Sequence, residues 1–483
     1  MTSFNKTTFR FGFPIVGLII GLMMGSVSMN AQRQLQGSID YLKENKSSLQ
    51  VNEKDLEGMR LSHVTQGGNR DFEVAYLQQT VNGIDIHNRI VNVIYDGSGK
   101  VVGHAGTLAN NLDRTTVATA PGVSPVDGLK SAAMALKLGN VGDIQILEPG
   151  IGAEKKGLIS KGSIAQEDIL FRLVYVDQGK EGLKLAWEYV IYETGSEHWW
   201  QIRIDAITGQ YLEKNDWVSN CKVDHSLTGD RGHIHGVACE EGPAYLPFLA
   251  NSYNVFAIPL ESPSHGPRTN ETTPWTAGVA SPFGWHDTNG AAGAEYTITR
   301  GNNVYASEDQ DANNVPGFSP DGGATLDFDF PINFANAPST YQSAAITNLF
   351  YWNNIVHDVL YNYGFDEASG NFQENNYGNG GAGNDYVNAD ALDGSGTNNA
   401  NFGTPPDGSN PRMQMYVWTQ TSPSRTSDLD NGVIIHEYGH GVSNRLTGGP
   451  NTTSCLGNQE QMGEGWSDYL ALMLTMEPGD AGT

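Results

Sequence analysis

The chain has 483 residues, more than one ordinary core holds and enough for two or three domains. Acids outnumber bases 54 to 28, and the resulting charge of −26 repels phosphate backbones, which excludes a nucleic-acid partner. A hydrophobic fraction of 39% with 10% aromatics excludes a disordered chain, while 58 glycines, well above the usual ~7%, mark a loop-rich protein.

Residues 1–31 read as a secretory signal. Lys6 and Arg10 give a positive start, Phe11 to Val27 an apolar run without charge, and Ala31 a small residue before the cut, although Met29 is larger than usual two places earlier. An uncleaved anchor is the competing reading, but four glycines and a proline interrupt a run already short for a membrane span. The expectation is a secreted, extracellular protein with no stable membrane association after cleavage.

Between 72 and 104 the residues alternate as strands do, with turn signals at Asn82-Gly83 and at Asp96 to Gly99. A short helix is expected over 124–138, with Ser124 as its cap and Pro125 in its first turn. A second cluster of strands covers 169–213. Residues 32–215 therefore read as one or two small α+β modules, and no reactive cluster assembles there. The stretch 216–250 is a boundary. It holds His225, His233 and His235, read as solvated loop histidines, and Cys221 and Cys239, which either close one loop or stay unpaired with Cys455.

After 251 the composition shifts. Residues 264–290 and 367–412 read as long Gly- and Asn-rich loops, and such loops in a compact domain are usually functional or hold ions. Between them Ile346, Leu349, Phe350, Val356, Val359, Leu360 and Tyr363 recur at helical spacing, closed by Gly364. Asp309, Asp311 and Asn313 alternate in a way that suits Ca2+, but the glycine and terminal Glu of an EF-hand loop are missing, and a solvated acidic loop is the better reading.

The segment that carries chemistry is Val433 to His440. His436 and His440, one helical turn apart, project from one face and can place two nitrogens on one Zn2+. Glu437 then lies beside the metal, suited to take a proton from water. The bland alternative is a core helix with two incidental histidines. A second helix, expected over 459–475 with Met462, Trp466, Tyr469, Leu470 and Met473 as its buried side, argues against it. Glu464 and Asp468 share a face of that helix. Glu464 is suited to be a third ligand and Asp468 to accept the free ring N–H of His436. Two histidines and one Glu leave a position for water, the composition of a catalytic zinc site.

These segments resemble the fungalysin family of secreted metalloproteases, relatives of thermolysin. The likeness rests on HEYGHG at 436–441 and EGWSD at 464–468, and on SPFGWHDTNG at 281–290, RGNNVYA at 300–306, 353–373 and 398–418. Residues 77–102 and 185–212 resemble the family's propeptide modules. The resemblance implies an α+β chain: a signal at 1–31, propeptide modules over 32–215, a linker and processing region at 216–250, and a thermolysin-like (zincin) catalytic lobe over 251–483 with long loops and an active-site helix. It implies His436, His440 and Glu464 as zinc ligands, Glu437 as general base, and Asn399 and Ala400 on an edge strand that pairs with the substrate backbone. Family members continue into a helical lobe beyond the second helix. Its absence here implies a truncated catalytic domain, poorly active by itself.

The function expected is a zinc-dependent endopeptidase made as a self-inhibited precursor, with protein or peptide substrates and its own propeptide as intramolecular partner. Two rivals are an inactive binding protein on a protease scaffold and an inhibitor or adhesion unit at 32–215. The intact set of His436, Glu437, His440 and Glu464 argues against the first.

Overall fold

The computed structural model describes residues 32–66, 72–112, 117–220, 251–272, 274, 279–456 and 462–477. The signal segment, Cys221, Cys239, His225, His233 and His235 lie outside those residues.

Alternating apolar residues draw 60–106 into an antiparallel meander of β1 (Arg60–Gln66), β2 (Phe72–Val81), β3 (Ile84–Asp96) and β4 (Val101–Gly106). Asn82 and Gly83, at φ 54° and 76°, supply the positive angles that a two-residue hairpin turn requires. A second meander follows: β5 (Ile169–Asp177), β6 (Leu183–Tyr192), β7 (Trp199–Asp205) and β8 (Tyr211–Asp216). The two join by one parallel pair, Ile86 with Tyr175, and with the added strands Ile146–Ile151 and Lys156–Ile159 they make a ten-stranded sheet. Each half keeps its own core. Leu42, Leu77, Val91 and Val93 fill the first. Leu173, Trp187 and Ile202 fill the second, under α1 (Pro125–Leu136). Ser124 caps α1 by accepting the Asp127 N–H at 3.1 Å.

The strand that follows, β9 (Val218–Asn220), leaves this sheet and joins another. That second sheet has a parallel centre of β10 (Val304–Glu308), β11 (Val387–Thr397) and β13 (Arg412–Trp418). β12 (Ala400–Gly403) runs antiparallel to β13, and β9 pairs antiparallel outside β12. The expected loop at 367–412 therefore contains two strands. β11 is easily missed because both its faces are covered. Its core-facing side chains are small, Val387, Ala389 and Ala391, while Asp390 and Asp393 are buried among polar partners. Gly394 belongs where it is because a Cβ there would meet the Gln310 carbonyl oxygen at 2.2 Å. The other presumed loop, 264–290, contains a strand as well, Thr269–Thr272, paired with Ser252–Val255.

Helix α2 (Gln342–Asn362) is buried through Ile346, Leu349, Phe350, Trp352 and Val356, and Gly364 follows it at φ 103°. It packs on the second sheet and against α3 (Asn431–Thr447), which in turn meets α4 (Met462–Thr475).

The first sheet also grips the end of α3. Tyr76 donates its hydroxyl to Leu446 O at 3.0 Å, and Asn92 its amide to Thr447 O at 3.2 Å. Further along the seam Tyr416 donates to Glu197 at 2.8 Å. A polar cavity of about 800 Å3 opens there, lined among others by Arg60, His87 and Arg172 from one side and by Asp407 and Arg412 from the other. No helix among the described residues is long and apolar enough to cross a membrane.

Candidate metal centre

Asp430 starts α3 by accepting the Val433 N–H at 3.3 Å. Ile434, Ile435 and Tyr438 anchor the helix in the core with no exposure. The histidines lie off that anchored side. Their rings stand 4.9 Å apart, as residues four apart on a helix should.

Helix α4 brings the third group. Glu464 Oε2 lies 3.2 Å from His436 Nε2 and 3.4 Å from His440 Nε2. Ligand atoms ~2.0–2.1 Å from a tetrahedral zinc sit roughly 3.3–3.4 Å from one another. The observed spacing fits that ion, and one atom from each residue lies within 4.8 Å of the other two. The donor chemistry fits too: two imidazoles and one carboxylate, the set of a site that keeps an open position. Asp468 Oδ1 is 2.8 Å from His436 Nδ1, so the carboxylate holds the ring by its far nitrogen.

Burial by itself would raise the Glu464 carboxyl, but its contacts with His436 and His440 outweigh burial and hold it at about 2. The carboxylate is thus ready as a ligand at any ordinary pH. His436 shifts the other way. Burial lowers it, yet Glu464, Glu437 and Asp468 together raise it above the usual imidazole value. Protons and a cation therefore compete for the same nitrogen. Glu437 is fully buried, close enough for its charge to act on His436.

Ala400 opens β12, 2% exposed and paired with Met415, and Asn399 lies in the connection from β11. Phe402 of the same strand packs on Tyr438 of α3, their rings 6.2 Å apart. The expected edge strand thus lies against the histidine helix. Its outer edge is already covered at Asn401, Phe402 and Gly403 by Asn220, Ser219 and Val218, and the described pairing stops one residue short of Ala400.

Two expectations change. Of the residues expected on the buried side of α4, Leu470 packs on the core, but Trp466 is 43% exposed, Tyr469 64% and Met473 48%. The side packed against α3 is the small one, where Ser467 is fully buried. Asp309 is not part of the solvated acidic loop expected for it with Asp311 and Asn313: it is 1% exposed. Its carboxylate accepts the Asn313 and Asn314 N–H groups and clusters with Asp390 and Asp393. Burial and those two neighbours push Asp309 up to about 7.

Arg445 was not singled out by the sequence. It is fully buried on α3 and donates to Pro405 O at 2.8 Å, Gly370 O at 3.0 Å and Asp385 at 3.2 Å, tying the helix to two loops. Nothing local signals this, because the three acceptors come from distant parts of the chain.

The profile of the fungalysin metallopeptidase (M36) family matches residues 252–483. Extracellular metalloproteinase 2 of Trichophyton rubrum is 39% identical over 417 residues, covering 84% of this chain and 59% of that protein. Extracellular metalloproteinase mep of Aspergillus fumigatus is 37% identical over 423 residues, covering 86% and 60%. The chain thus spans about three fifths of the length of these relatives. Among solved structures, the Bacillus megaterium YpeB C-terminal domain overlaps 38% of this chain and 64% of its own at 14% identity, with a TM-score of 0.20.

Proposed function

Because the chain belongs to the fungalysin metallopeptidase family, we propose that it is the precursor of a secreted zinc-dependent endopeptidase acting on proteins or peptides. The observation that carries this reading is the convergence of His436, His440 and Glu464 at zinc-ligand spacing. These three would hold the ion. Bound zinc would supply Lewis acidity, acidifying water towards a pKa of ~7 and polarising a peptide carbonyl.

The rest falls to the protein's own groups. Asp468 fixes the His436 ring through Nδ1, leaving Nε2 to face the site. Glu437 takes the proton of the attacking water on its carboxylate and later gives it to the leaving amine nitrogen. The main chain at Asn399 and Ala400 pairs with an extended substrate, a mode that reads backbone rather than side chains and suits broad specificity. Glu437→Gln should keep zinc and lose about 10²–10⁴-fold of casein hydrolysis when the whole gene product is assayed. A variant with normal zinc content and normal hydrolysis would remove Glu437 from this role.

Residues 1–31 act as the export signal and 32–215 as an inhibitory prosegment, with processing within 216–250. Support comes from β9, which occupies the outer edge of β12, and from the grip of Tyr76 and Asn92 on the end of α3. N-terminal sequencing of active secreted protein tests the assignment. A fully active species starting near Gln32 would overturn it.

A further inference from the structure

Helix α3 contains two glycines inside its histidine motif, Gly439 and Gly441, two residues apart and so on nearly opposite sides. Interior glycine costs a helix about 1 kcal/mol relative to alanine. Some packing demand must offset that. At Gly439 the neighbour is α4. An added Cβ would stand 2.8 Å from Ser467 Oγ, 3.0 Å from its Cα and 3.1 Å from its Cβ, all inside ordinary contact. The hydroxyl can rotate away, but the Cα is backbone and moves only with its helix. Ser467 is fully buried and lies one turn beyond Glu464 on the same flank of α4. A close approach of the two helices therefore occurs one turn from the residue that reaches the histidines.

We propose that Gly439 is a positioning residue: by having no side chain, it lets the α4 backbone come close enough for the Glu464 carboxylate to join His436 and His440 around one metal ion. The inference rests on the zinc reading above and adds what sets the third ligand's distance. A methyl at 439 must push the helices apart by several tenths of an ångström. Glu464 Oε2, now 3.2 and 3.4 Å from the two imidazole nitrogens, moves with α4. Gly441 serves a different neighbour. A Cβ there would meet Phe402 at 2.6 Å and Phe372 at 2.8 Å, on the side of β12.

The test is zinc affinity of the 483-residue chain, measured by competition with a chromophoric chelator. Gly439→Ala should bind zinc about 10–100-fold more weakly, the loss typical of disturbing what orients a ligand. Helix propensity alone would predict no harm from this change. Gly465→Ala is the matched control, since nothing lies within 4 Å of its added Cβ, and it should bind as the wild type does. Adding Ser467→Gly to Gly439→Ala should restore part of the loss. Ser467→Val drives the same wedge from the other helix and serves if Gly439→Ala does not fold. A folded Gly439→Ala chain with wild-type affinity, or an equal loss in Gly465→Ala, overturns the role of Gly439 alone. A wild-type chain that holds no zinc overturns the metal reading and this inference together.

Discussion

The sheet of residues 60–216 and the part that carries the histidines bury charge in opposite ways. In the first, Glu188 lies between two guanidinium groups, Arg172 at 2.8 Å and Arg203 at 3.0 Å. Burial would raise its carboxyl, but those two arginines hold it at about 2. His87 beside them is pushed down to about 3, chiefly by burial, and stays neutral. The network is complete as it stands. In the second part, Asp309, Asp390 and Asp393 share a single close arginine, Arg412. Burial pushes Asp390 up to about 6 despite that arginine, and Asp309 to about 7. Acidic groups outnumber counter-charges in that cluster. The first sheet closes its charge network, whereas the second part gathers three carboxylates around one guanidinium.

Breaking the closed network has the largest expected effect. Glu188→Ala removes the buried carboxylate shared by Arg172 and Arg203, leaves fully buried Arg203 only the half-exposed Glu213 at 2.8 Å, and should cost about 3–5 kcal/mol in urea unfolding of the whole chain. An effect under about 1 kcal/mol would show that the two arginines do not depend on Glu188. The pH windows also separate. Glu188 has a folded value below its ordinary 4.5, so its stabilisation is full above that pH and is lost as pH falls towards about 2. Asp309 has a folded value above its ordinary 3.8, so stability is lost as pH rises from there to about 7. Stability measured between pH 5 and 7.5 should therefore fall less steeply in Asp309→Asn than in the wild type. Identical slopes would remove the acidic trio as a site of proton uptake. The smallest effect is expected at Ser467, whose hydroxyl is buried without a hydrogen-bond partner. Ser467→Ala keeps the packing and should be neutral or stabilising by about 1 kcal/mol at most. A clear loss would mean that the hydroxyl is engaged.

How much of this could be read from the residues follows from distance along the chain. The spacing of His436, Glu437 and His440 is local, so helix geometry alone brings the two rings together. Ser124 capping α1 and Gly364 after α2 are equally local. Glu464 and Asp468 needed one further step, that two consecutive helices pack. The strand β11 was hidden because it is covered on both faces and carries Asp and Gly where alternation would normally show. The exposed flank of α4 misled for a related reason: apolar periodicity marks a face fit for burial without naming the neighbour. In the structure the neighbour took the small side, at Gly439 and Ser467. The pairing of Asp309 with Asp390 and Asp393 spans more than eighty residues, and no local pattern announces it.

The short strand β9 owes its place to a leash. Three residues pairing with β12 make a weak bond by themselves, and they hold because the same chain keeps them near at high local concentration. A single cut within 221–250 would sever that leash without altering the contacts described across the seam. From then on the cover over β12 would depend on concentration rather than on chain connectivity.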